Sequence, residues 1–350
     1  MKRSLQRFLR RRGATSAEIE NAIAHGYLSL LALDRAIMPG SRSYTMHQLA
    51  ERAGTDVATA QALWRAIGFP DLDDALPVFT KSDVEALEVF VERIRSGSVF
   101  EWTLERALSQ ARVLSSSFAR VADSETDELA HSVHLARAAG LDDEALALAL
   151  AERLDFEGIA RLVDHAHRLQ LRAAIWRRLA GVDATTPGSV TGAVGFVDLV
   201  GYTALAENLD DDDLGALVAR FADVAHDTVV NEGGRIVKTI GDEVMYVCDT
   251  ATAAAVIAVR LTERSSGDEL LPSARAGVGF GSLLAREGDY FGPVVNLASR
   301  LTDVARPGHV LASAEIAAAL APASGVVARR RGSRRLRDIG RVEVFSLESA

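Results

Sequence analysis

The chain has 350 residues, of which 48% are hydrophobic and 25% charged, and its formal net charge is −9. This length and composition allow two domains with buried cores and exclude an intrinsically disordered chain. The negative charge does not favour nucleic acid or anionic membranes as general partners. The single cysteine, Cys248, excludes an intrachain disulfide and a zinc site built from several cysteines.

The sequence contains no apolar run that approaches the roughly 20 residues needed to span a bilayer. Residues 1–12 are basic but lack the apolar core of a signal peptide. We therefore expect a cytoplasmic protein without a membrane span. The basic start could contact a membrane surface or the acidic face of the chain itself, or it could be a solvated first helix, and the solvated helix is favoured.

Residues 1–155 are predicted to form an all-helical domain, because capping residues and apolar positions at helical spacing recur throughout. Helices predicted in its later part cover residues 102–120, 125–139 and 142–154. Residues 156–180 form a further helix whose apolar positions suit packing on a partner helix, including a copy of itself. Small residues, Pro and Gly break the pattern after residue 180. We assign 156–189 to a linker helix and loop.

Two features leave the role of this helical half open. Residues 44–68 have the order of helix, Gly-containing turn and helix that is typical of a helix-turn-helix. Its second helix offers Arg65 as its only cation, so a packing module is favoured over DNA binding. Histidine changes charge near neutral pH, so a proton sensor is a second hypothesis, against the simpler one of solvated side chains. The histidines concerned are His131, His134, His165 and His167.

After residue 190 the pattern changes to alternating strands and helices, which predicts an α/β domain with a mixed, largely antiparallel sheet. At its centre, residues 233–246 read as a helix end at a glycine pair and two apolar strands joined by a tight turn. Asp242 lies in this turn, and Lys238 lies on the strand that leads into it. An earlier apolar strand ends at Asp198.

A third stretch lies between Gly288 and Arg300. Asn296 and Arg300 are four residues apart on a predicted helix and therefore project from the same face. Asp289 lies in the predicted loop that enters this helix. Taken alone, the pair has two interpretations, a site for an anion or polar ligand and an ordinary surface pair.

Three segments together resemble the class III nucleotidyl cyclases, specifically the adenylyl cyclases. They are Phe-Val-Asp-Leu-Val-Gly-Tyr-Thr (196–203), Val-Lys-Thr-Ile-Gly-Asp-Glu-Val-Met (237–245), and Gly-Asp-Tyr-Phe-Gly with Val-Asn-Leu-Ala-Ser-Arg-Leu (288–301). The resemblance covers about residues 190–347 and implies a ferredoxin-like catalytic domain at 190–350. More loosely, the helical half resembles the regulatory module of autoinhibited, pH-responsive bacterial adenylyl cyclases.

The resemblance implies a role for each matching residue. Asp198 and Asp242, with the Leu199 carbonyl, match the ligands of two divalent ions, and such hard oxygen ligands suit Mg²⁺ or Mn²⁺. These ions would activate the ribose 3′-hydroxyl and neutralise the departing pyrophosphate. Lys238 and Asp289 match the adenine-selecting pair, which implies ATP as substrate and cyclic AMP as product.

The remaining matches concern the ribose and the phosphates. Asn296 and Arg300 match the residues that position the ribose and stabilise charge on the reacting phosphate. Arg337, ahead of Arg335, falls where the family has a basic triphosphate contact. The backbone amides of the triphosphate cradle match Gly201, Tyr202 and Thr203.

In this family the metal carboxylates come from one protomer and the purine pair, Asn and Arg from the other. The resemblance therefore implies a homodimer with two shared sites. The looser resemblance of the helical half implies, as a hypothesis, that this half holds the catalytic pairs apart and releases them under acid. The alternatives are a diguanylate cyclase, an ATP-sensing DNA-binding regulator and a structural oligomer module. Lys238 and the Asn296–Arg300 helix distinguish the mononucleotide cyclase from the diguanylate cyclase.

Overall fold

The computed structural model describes residues 2–96, 102–153, 155–180 and 189–350. The chain divides into two compact units, Met1–Ala180 and Gly181–Ala350. The first unit is helical and the second is built on a mixed sheet, which confirms the predicted fold class. Among the described helices, none is both long and apolar enough to cross a membrane.

Nine helices form the described part of the first unit. They are α1 (Arg3–Arg11), α2 (Ser16–His25), α3 (Leu28–Ile37), α4 (Met46–Ala53), α5 (Val57–Ala66), α6 (Lys81–Arg95), α7 (Leu104–Ala138), α8 (Asp143–Arg153) and α9 (Phe156–Ala180). Capping boxes begin α2, α4 and α6, where Thr15, Thr45 and Thr80 each exchange hydrogen bonds with the residue three positions later. These reciprocal bonds satisfy amides at the helix starts and fix where the helices begin.

The predicted break between residues 102–120 and 125–139 is wrong, because α7 is one helix of 35 residues. The polar stretch in its middle contains neither Gly nor Pro. The hydroxyls of Ser117 and Thr126 donate to the carbonyls of Val113 and Ala122, four residues earlier, at 2.8 and 2.7 Å. Short polar side chains that bond back in this way remain compatible with a helix, so the polar residues do not end it.

Two buried clusters hold the first unit together. One joins α1, α2, α3 and α8, and the other joins α4, α5 and α6. Asp143 at the start of α8 accepts hydrogen bonds from the amides of Leu28 and Ser29 at the start of α3, at 2.7 and 3.3 Å. The predicted helix-turn-helix is present as α4 and α5, and its cation, Arg65, pairs with Asp71 at 2.8 Å.

The helix α9 presents large apolar side chains that its own chain leaves exposed. Leu162 and Trp176 are 67% and 69% exposed, and Ile159, Leu169 and Ile175 are also exposed. Packing against a copy of itself therefore stays a prediction, now with named side chains that such a contact would cover.

The second unit is organised around one eight-stranded sheet with strand order β2-β3-β1-β4-β6-β8-β7, and β5 pairs with β4. The strands are β1 (Ser189–Leu199), β2 (Arg235–Ile240), β3 (Glu243–Cys248), β4 (Ala274–Arg286), β5 (Asp289–Phe291), β6 (Val310–Ala312), β7 (Val326–Leu336) and β8 (Gly340–Ser349). Only the β4–β6 pair is parallel among these described strands. The sheet is therefore mixed and largely antiparallel, as predicted.

Helices cover both faces of this sheet. They are α10 (Tyr202–Ala206), α11 (Asp211–Asn231), α12 (Ala251–Ser266), α13 (Pro293–Val304) and α14 (Ala314–Ala319). The main core lies under α11, α12 and α14, and α13 packs on the other face with Phe196 and Met245. At Gly277 on β4 a Cβ would lie 2.3 Å from the Ala298 carbonyl oxygen, so glycine permits the close approach of α13.

Candidate active site

The two predicted metal carboxylates meet at the end of the central strand. Asp198 lies at the carboxyl end of β1, and Asp242 lies in the turn between β2 and β3, where Gly241 has a φ of 61°. The antiparallel register of β1 and β3 places Asp198 opposite Glu243, the residue directly after Asp242. The Leu199 amide donates to the Asp242 carbonyl at 3.4 Å. Strand register thus brings together residues that are distant in sequence.

Negative charge is crowded at this point. Burial raises the pKa of Asp242, and both repulsion by Asp198 and a hydrogen bond with it raise the pKa further, against a backbone hydrogen bond that lowers it. Burial, followed by repulsion from Asp198, Asp303 and Asp242, raises the pKa of Glu243 to about 7. Carboxylates that share a site in this way are stabilised by a bound cation.

One cation of the chain already faces this carboxylate pair. Arg275 on β4 lies opposite Asp198 in the β1–β4 register. Its Nε donates to Asp198 Oδ2 at 2.7 Å, and its Nη2 lies 2.6 Å from the same oxygen. The positive charge of Arg275 also opposes the rise in the pKa of Asp242 and of Glu243.

The donor chemistry at this point fits a hard divalent ion. Asp198, Asp242 and the Leu199 carbonyl could supply oxygen ligands of the kind that Mg²⁺ and Mn²⁺ prefer. Within the described ranges, no group of three or more His, Cys, Asp and Glu side chains is arranged to hold a metal ion alone. The carboxylate pair therefore suits ions that take further ligands from a phosphate group or water, as Mg²⁺ does in nucleotide sites.

The second predicted pair, Lys238 and Asp289, forms an ion pair on the α13 face of the sheet. Lys238 Nζ lies 2.5 Å from Asp289 Oδ2, and Asp289 Oδ1 accepts from the Tyr290 amide at 2.8 Å. Arg235 donates to the Tyr290 hydroxyl at 2.9 Å and supports this arrangement. Asp289 was expected in a loop but lies on β5, because its pairing with Arg286 makes it the first residue of the β4–β5 hairpin's return strand.

The residues Asn296 and Arg300 lie on α13, as their spacing predicts. Asn296 is exposed, and Arg300 is half-buried. Arg300 Nη1 donates to Asp303 Oδ2 at 2.9 Å, and its Nη2 lies 3.8 Å from Asp338 Oδ2. The Arg337 Nε lies 3.5 Å from the same Asp338 oxygen. Both cations therefore reach one carboxylate, which places the predicted phosphate contact near α13.

The predicted triphosphate cradle follows β1. Gly201 has a φ of 79° and precedes α10, which begins at Tyr202. Tyr202 is half-buried against the main core, whereas Thr203 is exposed. Arg335, the second choice for the basic contact, is exposed on β7 opposite Arg341.

Comparison with known proteins identifies the family of the chain. Residues 184–349 match the family described as the adenylate and guanylate cyclase catalytic domain. An adenylate cyclase of Glutamicibacter nicotianae is 34% identical over 337 residues, which cover 92% of this chain and 82% of the relative. The chain belongs to the class III adenylate cyclase family. An adenylate cyclase of Streptomyces coelicolor is 36% identical over 84% of this chain and 77% of the relative.

A third cyclase relative extends the comparison to the helical half. A protein of Mycobacterium tuberculosis named a pH-sensitive adenylate cyclase is 31% identical over 329 residues, which cover 90% of this chain and 81% of the relative. The similarity therefore includes much of both units of the cyclase.

Two residues of this cyclase site, Arg275 and Glu243, were missed by the sequence analysis. Glu243 belongs to the motif at residues 237–245 and adjoins Asp242, but the sequence analysis assigned it no role. Arg275 stands in the otherwise apolar run of residues 274–281 on β4, which is an unusual place for a charge. The sequence shows this unusual charge, but only the β1–β4 register shows that Arg275 lies opposite Asp198.

We expect Glu243 to make the unfolding free energy of the cyclase pH-dependent in the absence of metal. Its folded pKa is about 7, against an ordinary value of 4.5. The stability that this group contributes is therefore fully present below its unfolded pKa and is lost as the pH rises through about 7. Glu243→Gln should remove this loss, so the variant should be more stable than wild type at about pH 8.

Denaturant unfolding in EDTA across this pH range measures the effect. Glu269→Gln, at an exposed side chain of the same unit, is the matched control and should follow wild type. If the unfolding free energies of wild type and Glu243→Gln change with pH in the same way, the expectation is contradicted.

Proposed function

We propose that the protein converts ATP to 3′,5′-cyclic AMP and pyrophosphate. The observation that carries the proposal is the crowded carboxylate pair of Asp198 and Asp242 at the end of β1. Support for the product comes from the relatives named adenylate cyclase. We assign catalysis to residues 190–350. We also propose that the protein acts in the cytoplasm, where ATP is present.

In the proposed reaction the ribose 3′-oxygen forms a bond to the α-phosphorus. The bond from that phosphorus to the pyrophosphate oxygen breaks, and the hydroxyl proton leaves to solvent. Two divalent ions, Mg²⁺ or Mn²⁺, held by Asp198, Asp242 and the Leu199 carbonyl would supply Lewis acidity to the hydroxyl and to the triphosphate. The carboxylates of Asp198 and Asp242 would hold these ions and thereby orient the reacting groups.

The choice of ATP is proposed to come from Lys238 and Asp289. A lysine donates hydrogen bonds and a carboxylate accepts them, so the pair can read the purine edge of adenine. The two side chains already contact each other at 2.5 Å, which holds both at one place on the α13 face. Both are partly exposed, at 34% and 28%, and therefore accessible to a base.

The remaining roles concern the ribose and the phosphates. Asn296, exposed on α13, would position the ribose. Arg300 and Arg337 would stabilise negative charge on the phosphates, because a guanidinium forms charge-assisted hydrogen bonds with phosphate oxygens. Backbone amides around residues 201–203 would contact the triphosphate.

We propose a homodimer in which each site takes Asp198 and Asp242 from one protomer and the residues of α13, with the purine pair, from its partner. Mixing two inactive variants tests this directly. Asp242→Ala and Arg300→Ala should each reduce cyclic AMP production by about 10²–10³-fold or more. Random exchange between them makes heterodimers with one intact site, so an equal mixture should recover about a quarter of wild-type activity.

The matched control is a mixture of Asp242→Ala with Asp198→Ala. Both substitutions lie in the half of the site that carries the metal carboxylates. Every heterodimer site would therefore contain one of them, and this mixture should stay inactive. No recovery in the first mixture, while dimers exchange subunits, would contradict the shared site. Recovery in both mixtures would contradict the assignment of residues to halves.

We further propose that residues 1–155 restrain the catalytic domain, with 156–189 as linker helix and loop, and that acid releases the restraint. The support is the relative named a pH-sensitive adenylate cyclase, which is similar over 90% of this chain. The exposed apolar side chains of α9 provide a surface through which two copies could change their pairing.

Comparison of the full chain with residues 185–350 tests this regulation. We expect the activity ratio of full chain to fragment to rise as pH falls from about 8 to about 6, the range in which histidines gain charge. Cyclic AMP production at saturating ATP and Mn²⁺ measures the ratio. Indistinguishable pH profiles would contradict the proposal.

A further inference from the structure

The first helix of the chain, α1, presents a row of arginines to solvent. Leu5 and Leu9 on its inner side are buried in the cluster that joins α1 to α2, α3 and α8. Its outer side carries an open depression of about 490 Å³, which is lined by Arg3, Gln6, Arg7, Arg10 and Arg11. All four of these arginines are exposed. The leucines therefore fix the helix to its own unit and leave the arginines on the surface.

The charge of this row is not balanced by the part of the chain that the structure describes. There, Arg3, Arg7 and Arg11 form no ion pair with a carboxylate, and Arg10 donates to the Ser16 hydroxyl at 3.2 Å. Residues 1–12 hold six cations and no anion. Like charges four residues apart on a helix repel each other, and a cation in the first turn opposes the helix dipole. The row therefore does not stabilise α1, and an anion from outside the chain would.

Two exposed apolar side chains belong to the segment that meets the carboxyl end of α1. The amide of Gly40 donates to the carbonyl of Arg12 at 3.0 Å, which brings the turn after α3 to this end of the row. Ile37 and Met38, directly before this turn, are exposed. Basic side chains with exposed apolar neighbours are typical of protein surfaces that lie on anionic membranes.

We propose that α1 docks on the anionic surface of a lipid bilayer. Arg3, Arg7 and Arg11 follow one another at intervals of about 6 Å along one side of a helix about 13 Å long, so the row suits a plane. Salt limits the reach of each charge to about 10 Å at 0.1 M, so the bilayer interacts with this row rather than with the net charge of −9. The inference is independent of the proposed reaction.

Nucleic acid is another polyanion, but the outer side of α1 suits it less well. Proteins that bind single strands without sequence preference stack the bases on aromatic side chains. Phe8 is the aromatic residue of α1, and it packs against the buried cluster with the Arg12 guanidinium 5.7 Å from its ring centre. A duplex is read by an element that enters a groove, whereas α1 lies along its own unit with one side buried. These features favour the membrane.

Sedimentation of the full-length protein with lipid vesicles tests the docking. We expect binding to vesicles of phosphatidylglycerol and phosphatidylcholine in equal parts, and none to phosphatidylcholine alone. A rise in salt from about 0.1 to about 1 M should release the protein, because the screening length falls from about 10 to about 3 Å. The triple variant Arg3→Gln, Arg7→Gln, Arg11→Gln should bind about 100-fold more weakly, since each arginine at an anionic surface contributes about fivefold. Lysine substitution of the same three arginines should leave binding unchanged, because it retains the charge.

A matched control separates the row from the net charge of the chain. The triple variant Arg112→Gln, Arg120→Gln, Arg137→Gln removes three exposed cations from α7 of the same unit. Its net charge equals that of the α1 glutamine variant, and it should bind the vesicles as wild type does.

The melting temperature shows which variants are folded, and Arg7→Gln alone, with about fivefold weaker binding, provides the test if the triple variant is unfolded. Equal binding by wild type and the α1 glutamine variant, or no binding by wild type to the anionic vesicles, would overturn the proposal. Loss of binding in the α7 control or in the lysine variant would also overturn it, because net charge or guanidinium geometry would then decide. Binding to a DNA duplex that exceeds vesicle binding, and is lost in the α1 glutamine variant, would assign the row to nucleic acid instead.

Discussion

The site depends on the proximity of two carboxylates that repel each other. Asp198 and Asp242 are held together by the pairing of β1 with β3, and a slip of one residue would turn Asp198 to the opposite face of the sheet. The buried residues of β1 specify that register, since they fill the core on both faces. The energy of core packing therefore maintains a local concentration of negative charge, which a divalent ion and Arg275 can balance.

The same sheet positions the side chains that we propose to bind the nucleotide. Helix α13 is fixed by its close approach at Gly277, and it carries Asn296 and Arg300 on a rigid element. Lys238 on β2 and Asp289 on β5 meet above the same face. The two halves of the proposed site are therefore carried by one rigid unit, and pairing of two copies is what would bring complementary halves together. The proposed regulation would then require only a change in how two copies pair.

Local patterns predicted much of this arrangement. The alternation of strands and helices, the hairpin turn at Asp242 and the spacing of Asn296 and Arg300 are encoded over a few residues each, and the structure contains all three. Two expectations failed for physical reasons that are also local. The expected break near residues 120–125 is absent because the polar stretch there contains neither Gly nor Pro, so the helix α7 continues through it. The expected loop at Asp289 is instead the strand β5, because this segment pairs with β4.

Contacts that depend on register could not be read from the sequence. The partnership of Arg275 with Asp198, and the crowding that raises the pKa of Glu243, arise from residues on different strands. The roles of the site residues were assigned through resemblance to a family, and strand geometry supplies their neighbours. Sequence thus predicts which residues are chemically suited to the site, whereas side-chain packing determines which of them act on each other.

Cyclic nucleotide production from ATP and from GTP, with Mn²⁺, is the most direct measurement of the proposed activity. Full-length protein, residues 185–350 and the Asp242→Ala variant should be compared. We predict cyclic AMP from ATP in large excess over cyclic GMP from GTP, and loss of both products in Asp242→Ala. Cyclic GMP as the main product, or no product from either the folded full-length protein or the folded fragment, would contradict an adenylate cyclase.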